Sequence, residues 1–316
     1  MIPSDILLNI IRQQASQPVY PAIQALADQI RATHTNTAAI LFYGSCLRAG
    51  DDRGGMVDLY VLVDQYRTAY PSKTVALLNR LLPPNVFYLE VPHDGRQVRA
   101  KYAVLSLEDF ERGSSVQWFH SYLWGRFSQP VAFAYSRSEA VTDRVVHSLA
   151  RSVLTLIRRA IPCTKSPFPA RELWFKGLSL SYRAELRTEK PDKLAGLIRR
   201  FPDYYETVTR AAMPAIPFQV SVKSAGHPVI YDARISRRTR FTSRQTWRIR
   251  FIQGKMLSVM RLLKAAFTFA GGIDYIQWKI ERHTGVRVEL SPRLRRRPVL
   301  AACILAIRLY RRDGFR

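Results

Sequence analysis

The stretch LFYGSCLRAGDDRGGMVDLYVLVD, Leu41–Asp64, contains two apolar runs that are separated by a polar loop rich in glycine. The first run ends at Gly44-Ser45, and the second, Val57–Val63, is apolar except for one carboxylate, Asp58. Asp is depleted in strands, and a buried charge needs a partner or a metal ion. The stretch therefore predicts a strand, a loop and a second strand, in which the Asp58 carboxylate holds a charged group.

Length and composition predict a folded protein with an anionic partner. A chain of 316 residues suggests about two domains, and a hydrophobic content of 47% excludes a disordered chain. Lys and Arg number 49 against 24 Asp and Glu, which gives a formal net charge of +25. Such a surplus indicates nucleic acid, anionic lipid or a phosphorylated substrate as the partner.

The cysteines and the N-terminal sequence predict a protein of a reducing compartment. Cys46, Cys163 and Cys303 are scattered without metal-ligand spacing, so we expect no disulfide framework. Residues 1–13 lack a basic region and a cleavage site, so we expect no signal peptide. No apolar run reaches the roughly 18 residues of a membrane-spanning helix, and the nearest is Pro298–Tyr310.

Strand and helix patterns alternate over about the first 135 residues, and helical patterns dominate after that. The predicted strands are residues 38–43, 57–63, 85–91 and 100–107. The predicted helices are one or two within residues 5–33, then residues 73–82, 140–161 and 170–187. Residues 188–244 are less regular. The order predicts a small α/β unit followed by a mostly helical region.

Gly-Ser at a strand end, followed by a loop and by an Asp in the next strand, resembles the skeleton of the nucleotidyltransferase fold. Gly44 would let backbone N–H groups approach a triphosphate, and the Ser45 hydroxyl could donate to a phosphate oxygen. Asp58 would hold Mg²⁺, which neutralises charge on the leaving pyrophosphate. Most members of that superfamily have a second acid where this chain has Tyr60. The structural interpretation is that Gly44-Ser45 is a turn and that Asp58 pairs with an arginine.

Further short motifs follow in a fixed order along the chain. They are Tyr43-Gly44-Ser45-Cys46, Val57-Asp58, Lys101-Tyr102-Ala103-Val104, Asp109-Phe110, Trp118, Tyr122-Leu123-Trp124-Gly125-Arg126, Pro130-Val131 and Leu180–Arg187. Over about residues 38–190 they resemble the mitochondrial phosphatidate cytidylyltransferase family of the translocator assembly and maintenance type. The departures are Cys46, Ala103 and Ala184 in place of glycines and Gln129 in place of a lysine, and they affect the substrate more than the fold.

The resemblance implies synthesis of CDP-diacylglycerol from CTP and phosphatidate, with release of pyrophosphate and with Mg²⁺ as the cofactor. A phosphomonoester has a second pKa near about 6, so phosphatidate is already anionic at neutral pH. It needs no strong general base to attack the α-phosphorus, because positioning and electrostatics suffice. One or two acids that hold Mg²⁺ would therefore be enough.

The predicted site residues have separate roles: Gly44 and Ser45 bind the CTP phosphates, Asp58 and Glu90 hold Mg²⁺, Lys101 and Arg126 contact phosphates, and Glu185 contributes from the second part of the chain. A structural interpretation stays open for three of them. Glu90 would then be an edge-strand charge, Lys101 a solvated lysine, and Arg126 one member of an ion pair. Glu185 contributes only if its helix faces the first part of the chain.

Two basic segments, Arg234–Lys264 and Arg293–Arg316, are typical of amphipathic elements on anionic membranes, where each basic side chain adds about 1 kcal/mol. We therefore expect an anionic membrane surface as a partner, and no nucleic acid. The predicted location is peripheral, on a bacterial cytoplasmic face or, as an alternative, on the matrix side of the mitochondrial inner membrane. The oligomeric state stays open.

The sequence as a whole predicts an α+β protein in three parts. Residues 1–135 form a nucleotidyltransferase-like catalytic domain, with a small mixed sheet and helices. Residues 136–290 form a helical domain that completes the active site, and residues 291–316 form a basic amphipathic tail that binds membrane. Two other functions stay open: a nucleotidyltransferase acting on another phosphorylated substrate or on RNA, and a non-catalytic protein that binds anionic lipid or nucleic acid.

Overall fold

The computed structural model describes residues 1–50, 55–185, 191–224, 226 and 228–268. The protein is α+β, with a five-stranded mixed sheet and its helices followed by a largely helical region, as the sequence predicts. The predicted tail, residues 291–316, lies outside the described residues, as do residues 269–290. Among the described helices, none is long and apolar enough to cross a bilayer.

The main sheet has the strand order β3-β4-β2-β1-β5, in which β2 and β4 are parallel and the other neighbours are antiparallel. Its strands are β1 (Thr37–Tyr43), β2 (Val57–Val63), β3 (Asn85–His93), β4 (Arg96–Ser106) and β5 (Ala132–Ser136). The first four agree with the predicted strands to within a few residues. The fifth was not predicted, because its five residues make too short a pattern.

Twelve α-helices are assigned within the described ranges. They are α1 (Asp5–Ala15), α2 (Pro21–Thr33), α3 (Ser45–Ala49), α4 (Tyr66–Ala69), α5 (Lys73–Leu81), α6 (Leu107–Gly113), α7 (Trp124–Phe127), α8 (Glu139–Ala160), α9 (Ala170–Arg183), α10 (Pro191–Arg199), α11 (Pro202–Ala212) and α12 (Arg237–Thr268). Serine side chains begin several of them by accepting a backbone N–H bond, as Ser138 does at the start of α8 and Ser106 at the start of α6.

A second, three-stranded antiparallel sheet lies in the segment that the sequence pattern left irregular. Its strands are β6 (Phe168–Pro169), β7 (Gln219–Ser224) and β8 (Ile230–Arg234), in the order β6-β8-β7. Strand β7 is mostly exposed, so its sequence lacks the apolar alternation that would identify it. The sheet precedes α12, whose 32 residues contain most of the basic segment Arg234–Lys264.

A separate hydrophobic core packs against each side of the main sheet. On one face Ile40, Leu59 and Val61 pack with residues of α2 and α5. On the other face Leu41 and Tyr60 belong to a core that runs through α1, α8, α9 and α11 and reaches α12. The alternation of side chains along β1 and β2 divides the two sets. The second core is continuous between the parts that the sequence assigns to separate domains.

Candidate active site

A cavity of about 530 Å³ opens at the end of β1, where the chain turns into α3. We call it the sheet-edge cavity. Its walls come from β1, α3, β2, α7, α9 and α10, which are far apart in sequence. Five of the predicted site residues line it: Gly44, Ser45, Asp58, Arg126 and Glu185.

Gly44 joins β1 to α3 in a conformation that favours glycine. Its φ is +92°, and a Cβ at this position would lie 2.6 Å from Oδ2 of Asp58. A side chain at residue 44 would therefore be strained by the backbone and would also collide with the carboxylate. The glycine that the sequence assigned to phosphate approach is thus needed in the structure for the close approach of Asp58.

Asp58 is held by a lysine from the neighbouring strand. Asp58 and Lys101 are opposite each other in the parallel pair of β2 and β4, and Lys101 Nζ lies 2.9 Å from Asp58 Oδ1. The side chains are 13% and 28% exposed, respectively, so the pair is partly shielded from water. The structural interpretation of Asp58 expected an arginine as its partner, and the structure places a lysine there. Lys101 does not line the cavity.

Arg126 and Glu185 form the second ion pair of the site. Arg126 Nη2 lies 3.1 Å from Glu185 Oε2, and both side chains are 15% exposed. The Arg126 guanidinium carbon also lies 4.3 Å from the ring centroid of Tyr122. Burial alone would lower the pKa of Arg126, but the charge of Glu185 and the neighbouring tyrosines together raise that pKa well above its ordinary value. Glu185, just beyond the end of α9, therefore faces the first part of the chain, which was the condition for its contribution.

The position of the expected second acid is filled by a buried tyrosine. Arg126 Nη1 donates to the Tyr60 hydroxyl over 3.2 Å, and the Tyr60 ring packs edge-on against Phe127. Burial raises the pKa of Tyr60 well above its ordinary value, so the hydroxyl stays neutral. Tyr60 thus helps to hold Arg126 and does not take the place of a carboxylate at a metal ion.

Glu90 lies away from the cavity, and this corrects its prediction as a metal ligand. It is exposed on β3, and strand β4 separates it from β2 and Asp58. Arg99 Nε lies 2.9 Å from Glu90 Oε1, and the Tyr88 hydroxyl donates to the same oxygen. Both bonds lower the pKa of Glu90, with that from Tyr88 acting more strongly. Glu90 is the edge-strand charge of the structural interpretation.

Two arginines that the sequence did not single out also line the cavity. Arg48 lies in α3, and Arg200 follows α10 and donates through Nη1 to the Arg48 carbonyl oxygen over 2.7 Å. Among the described residues, no acidic side chain forms an ion pair with Arg48 or Arg200. No local pattern could have found Arg200, because it reaches the site across 152 residues of sequence. The charge that they add suits an anionic ligand.

A preformed metal site is not found in the described part of the chain. It contains no group of three or more His, Cys, Asp or Glu side chains that could hold a metal ion. Mg²⁺, however, is commonly bound by only one or two carboxylates together with substrate phosphates. Asp58, which lines the same cavity as Ser45, therefore fits an ion that arrives with a nucleotide, and Oδ2 is the carboxylate oxygen that Lys101 leaves unbound.

In comparisons with known proteins, no family model matches the chain and no curated protein matches it significantly. The resemblance therefore rests on the short motifs and on the residues that they contribute to the cavity.

Proposed function

We propose that the protein is a phosphatidate cytidylyltransferase, which converts CTP and phosphatidate into CDP-diacylglycerol and pyrophosphate at a membrane surface. One observation supports this most. Three motifs that are separate in sequence, those of Gly44-Ser45, Asp58 and Arg126, meet at one cavity of about 530 Å³. That volume is within the usual range of small-molecule sites.

In the proposed reaction a phosphate oxygen of phosphatidate attacks the α-phosphorus of CTP. A bond forms between that oxygen and the α-phosphorus, the bond from the α-phosphorus to the bridging oxygen breaks, and pyrophosphate leaves with its electron pair. The chain's contribution is to bind and orient two anions. Arg48 and Arg200 attract the phosphates, the Ser45 hydroxyl donates to a phosphate oxygen, and Arg126 presents a planar fork of donors.

Asp58 would hold Mg²⁺ together with the nucleotide phosphates. When bound, the ion would neutralise charge on those phosphates. Lys101 fixes one oxygen of Asp58, which leaves the other oriented toward Gly44. Glu185 similarly fixes one side of Arg126. Both ion pairs therefore hold a functional side chain in place before substrate binds, which is what positioning requires.

The test is pyrophosphate release by the purified protein with CTP, Mg²⁺ and phosphatidate in mixed micelles. Asp58→Ala should abolish the release. Asp64→Ala is the matched control, because Asp64 is an exposed acid whose ion pair with Arg137 lies on the surface. Release that persists in Asp58→Ala, or that is indifferent to phosphatidate, would rule out the proposal. If release is indifferent to phosphatidate, the same assay with soluble phosphates and RNA tests for a nucleotidyltransferase that acts on one of those substrates.

A non-catalytic anion-binding protein is the second candidate, and one observation favours it. Among the described residues that line the cavity, the two acids, Asp58 and Glu185, are already held in ion pairs. A binding protein would need only the cationic wall of Arg48 and Arg200. Calorimetric titration with CTP separates the two candidates. Binding that strengthens with Mg²⁺ and loses this dependence in Asp58→Ala supports the enzyme, and metal-independent binding supports the binding protein.

A further inference from the structure

The inner face of α12 supports the sheet-edge cavity. A Cβ on Gly254 would lie 2.2 Å from the carbonyl oxygen of Ala184, the residue before Glu185, so the helix approaches this backbone closely. Farther along, the Arg261 guanidinium carbon lies 4.1 Å from the ring centroid of Tyr122. Tyr122 in turn contacts Arg126. The helix thus touches the surroundings of both members of the Arg126 ion pair.

The outer face of α12 has a row of exposed apolar side chains, which we call the outer stripe. Its seven residues are all at least 46% exposed: Phe241, Ile249, Ile252, Met256, Val259, Met260 and Leu263. At about 100° per residue they fall within an arc of about 100°, and at 1.5 Å per residue they extend over roughly 33 Å. Gln245 interrupts the row between Phe241 and Ile249, and from Ile249 to Leu263 the apolar side chains follow one another along the helix. An exposed apolar row of this kind indicates an interaction site.

The charge beside the outer stripe identifies the kind of partner. Between Arg234 and Lys264 the sequence has ten Lys and Arg and no acid. Arg248 and Lys255 are exposed and adjoin one edge of the stripe. A second copy of this helix would bring like charges together, and so would the Arg-rich segment 293–316 of the same chain. A partner for this face must therefore offer an apolar interior to the stripe and negative charge to the basic side chains beside it. An anionic lipid surface has both features.

We infer that the outer stripe of α12 docks onto an anionic lipid bilayer, with the helix lying along the surface. The apolar side chains enter the boundary between head groups and acyl chains, and Arg248 and Lys255 contact the head groups. The benefit of such docking rests on the proposed function, because the bilayer would be the source of the phosphatidate that accepts the cytidylyl group. Docking through α12 would also set the position of the cavity that this helix supports.

The experiment is vesicle flotation of the full-length protein with neutral phosphatidylcholine vesicles and with vesicles that also contain phosphatidylglycerol. Ile252→Glu/Met256→Glu places charge within the stripe and should weaken binding to the anionic vesicles by more than about tenfold. The control, Ile6→Glu/Val222→Glu, changes the charge equally at two exposed apolar residues outside α12 and should change binding by less than about twofold. Thermal unfolding verifies that both variants are folded.

Two further single variants test the charge. Arg248→Gln and Lys255→Gln should each weaken binding to anionic vesicles about fivefold, the equivalent of about 1 kcal/mol per basic residue. Equal binding of the stripe and control variants would overturn the inference, as would equal binding to neutral and anionic vesicles. A dimer in sedimentation that the stripe variant dissociates would overturn it in favour of a second copy.

Failure of this inference can be told apart from failure of the proposed function. Flotation needs neither CTP nor turnover, so a protein that docks but releases no pyrophosphate refutes only the proposed reaction. A protein that releases pyrophosphate from micellar phosphatidate but binds vesicles equally well with and without the stripe refutes only the docking surface.

Discussion

Gly125→Ala is expected to force α7 away from α9 and to disturb the sheet-edge cavity, which Gly125 and Ser181 both line. A methyl group at residue 125 would lie 1.9 Å from Oγ of Ser181 and 2.8 Å from its Cβ. The hydroxyl can rotate away, but the Cβ cannot, so the two helices must separate. Overpacking of this kind costs about 1–3 kcal/mol. Alanine returns up to about 1 kcal/mol in helix propensity, so we expect a net loss of about 1–2 kcal/mol.

The same separation should reach Arg126, which follows Gly125 directly. Its guanidinium is held at 3.1 Å by Glu185, just beyond the end of α9. A shift of several tenths of an ångström between the helices stretches this bond. The rate of pyrophosphate release should therefore fall even though most of the protein remains folded. Ser181→Gly removes both atoms that the new methyl group meets. It costs about 1 kcal/mol alone, as a glycine within a helix.

The double variant Gly125→Ala/Ser181→Gly should therefore be more stable than the sum of the single effects by about 1–2 kcal/mol. Urea unfolding with an unchanged m-value measures the stability, and pyrophosphate release measures the site. The control for the stability measurement is Gly196→Ala in α10, where a Cβ would have no atom within 4 Å. The reasoning is refuted if Gly125→Ala unfolds like the native protein, or if Ser181→Gly gives no rescue.

Three further substitutions test other contacts. Lys101→Met leaves the carboxylate of Asp58 without its cation and should cost about 1–2 kcal/mol in urea unfolding at pH 7, whereas Lys101→Arg should cost less. Gly254→Ala places a methyl group 2.2 Å from the backbone oxygen of Ala184, and thermal unfolding should show a loss of about 3 kcal/mol. Burial and neighbouring arginine charges lower the pKa of His120 to about 3, below its unfolded value of about 6.5. The unfolded chain therefore gains the proton first as the pH falls, and the unfolding free energy should decrease by about 2 kcal/mol between pH 7 and pH 5 through this residue. His120→Gln should remove this contribution to the slope.

Each of these outcomes has a result that contradicts it. An equal loss of stability in Lys101→Met and Lys101→Arg would mean that packing, and not charge, is what the side chain contributes. An unchanged unfolding temperature in Gly254→Ala would mean that α12 does not approach the backbone of α9. His34 is a second histidine whose pKa is lowered by burial, so part of the acid slope should remain after His120→Gln. A slope that does not change at all would contradict the reasoning.

The elements that could be predicted from sequence are those whose pattern is complete within a short window. Strands β1 and β2 are almost uniformly buried, and the serine that begins α8 precedes a long amphipathic helix. Strand β7 failed this test because most of its side chains are exposed. Strand β5 failed because it is short and gains its place only by pairing with β1. In both cases tertiary contacts, and not the local sequence, decide the structure.

The candidate site shows the same division between local and long-range information. Gly44 and Asp58 could be placed together because β1 and β2 are consecutive and antiparallel, so the end of one adjoins the start of the other. The partner of Asp58 could not be predicted, since it depends on the parallel pairing of β2 with β4. The prediction for Glu90 was wrong for the same reason. Its strand follows β2 in sequence, but β4 is inserted between the two.

The lysine at Asp58 gives the two interpretations of this carboxylate different consequences for Asp58→Asn. The amide oxygen of asparagine can still accept the bond from Lys101 Nζ, so the fold should lose at most about 1 kcal/mol. An amide is neutral, however, and is a much poorer Mg²⁺ ligand than a carboxylate. If Asp58 serves the proposed reaction, Asp58→Asn should leave urea unfolding almost unchanged while pyrophosphate release is lost. If Asp58 only anchors Lys101, stability and release should change together and by little, because the anchor remains.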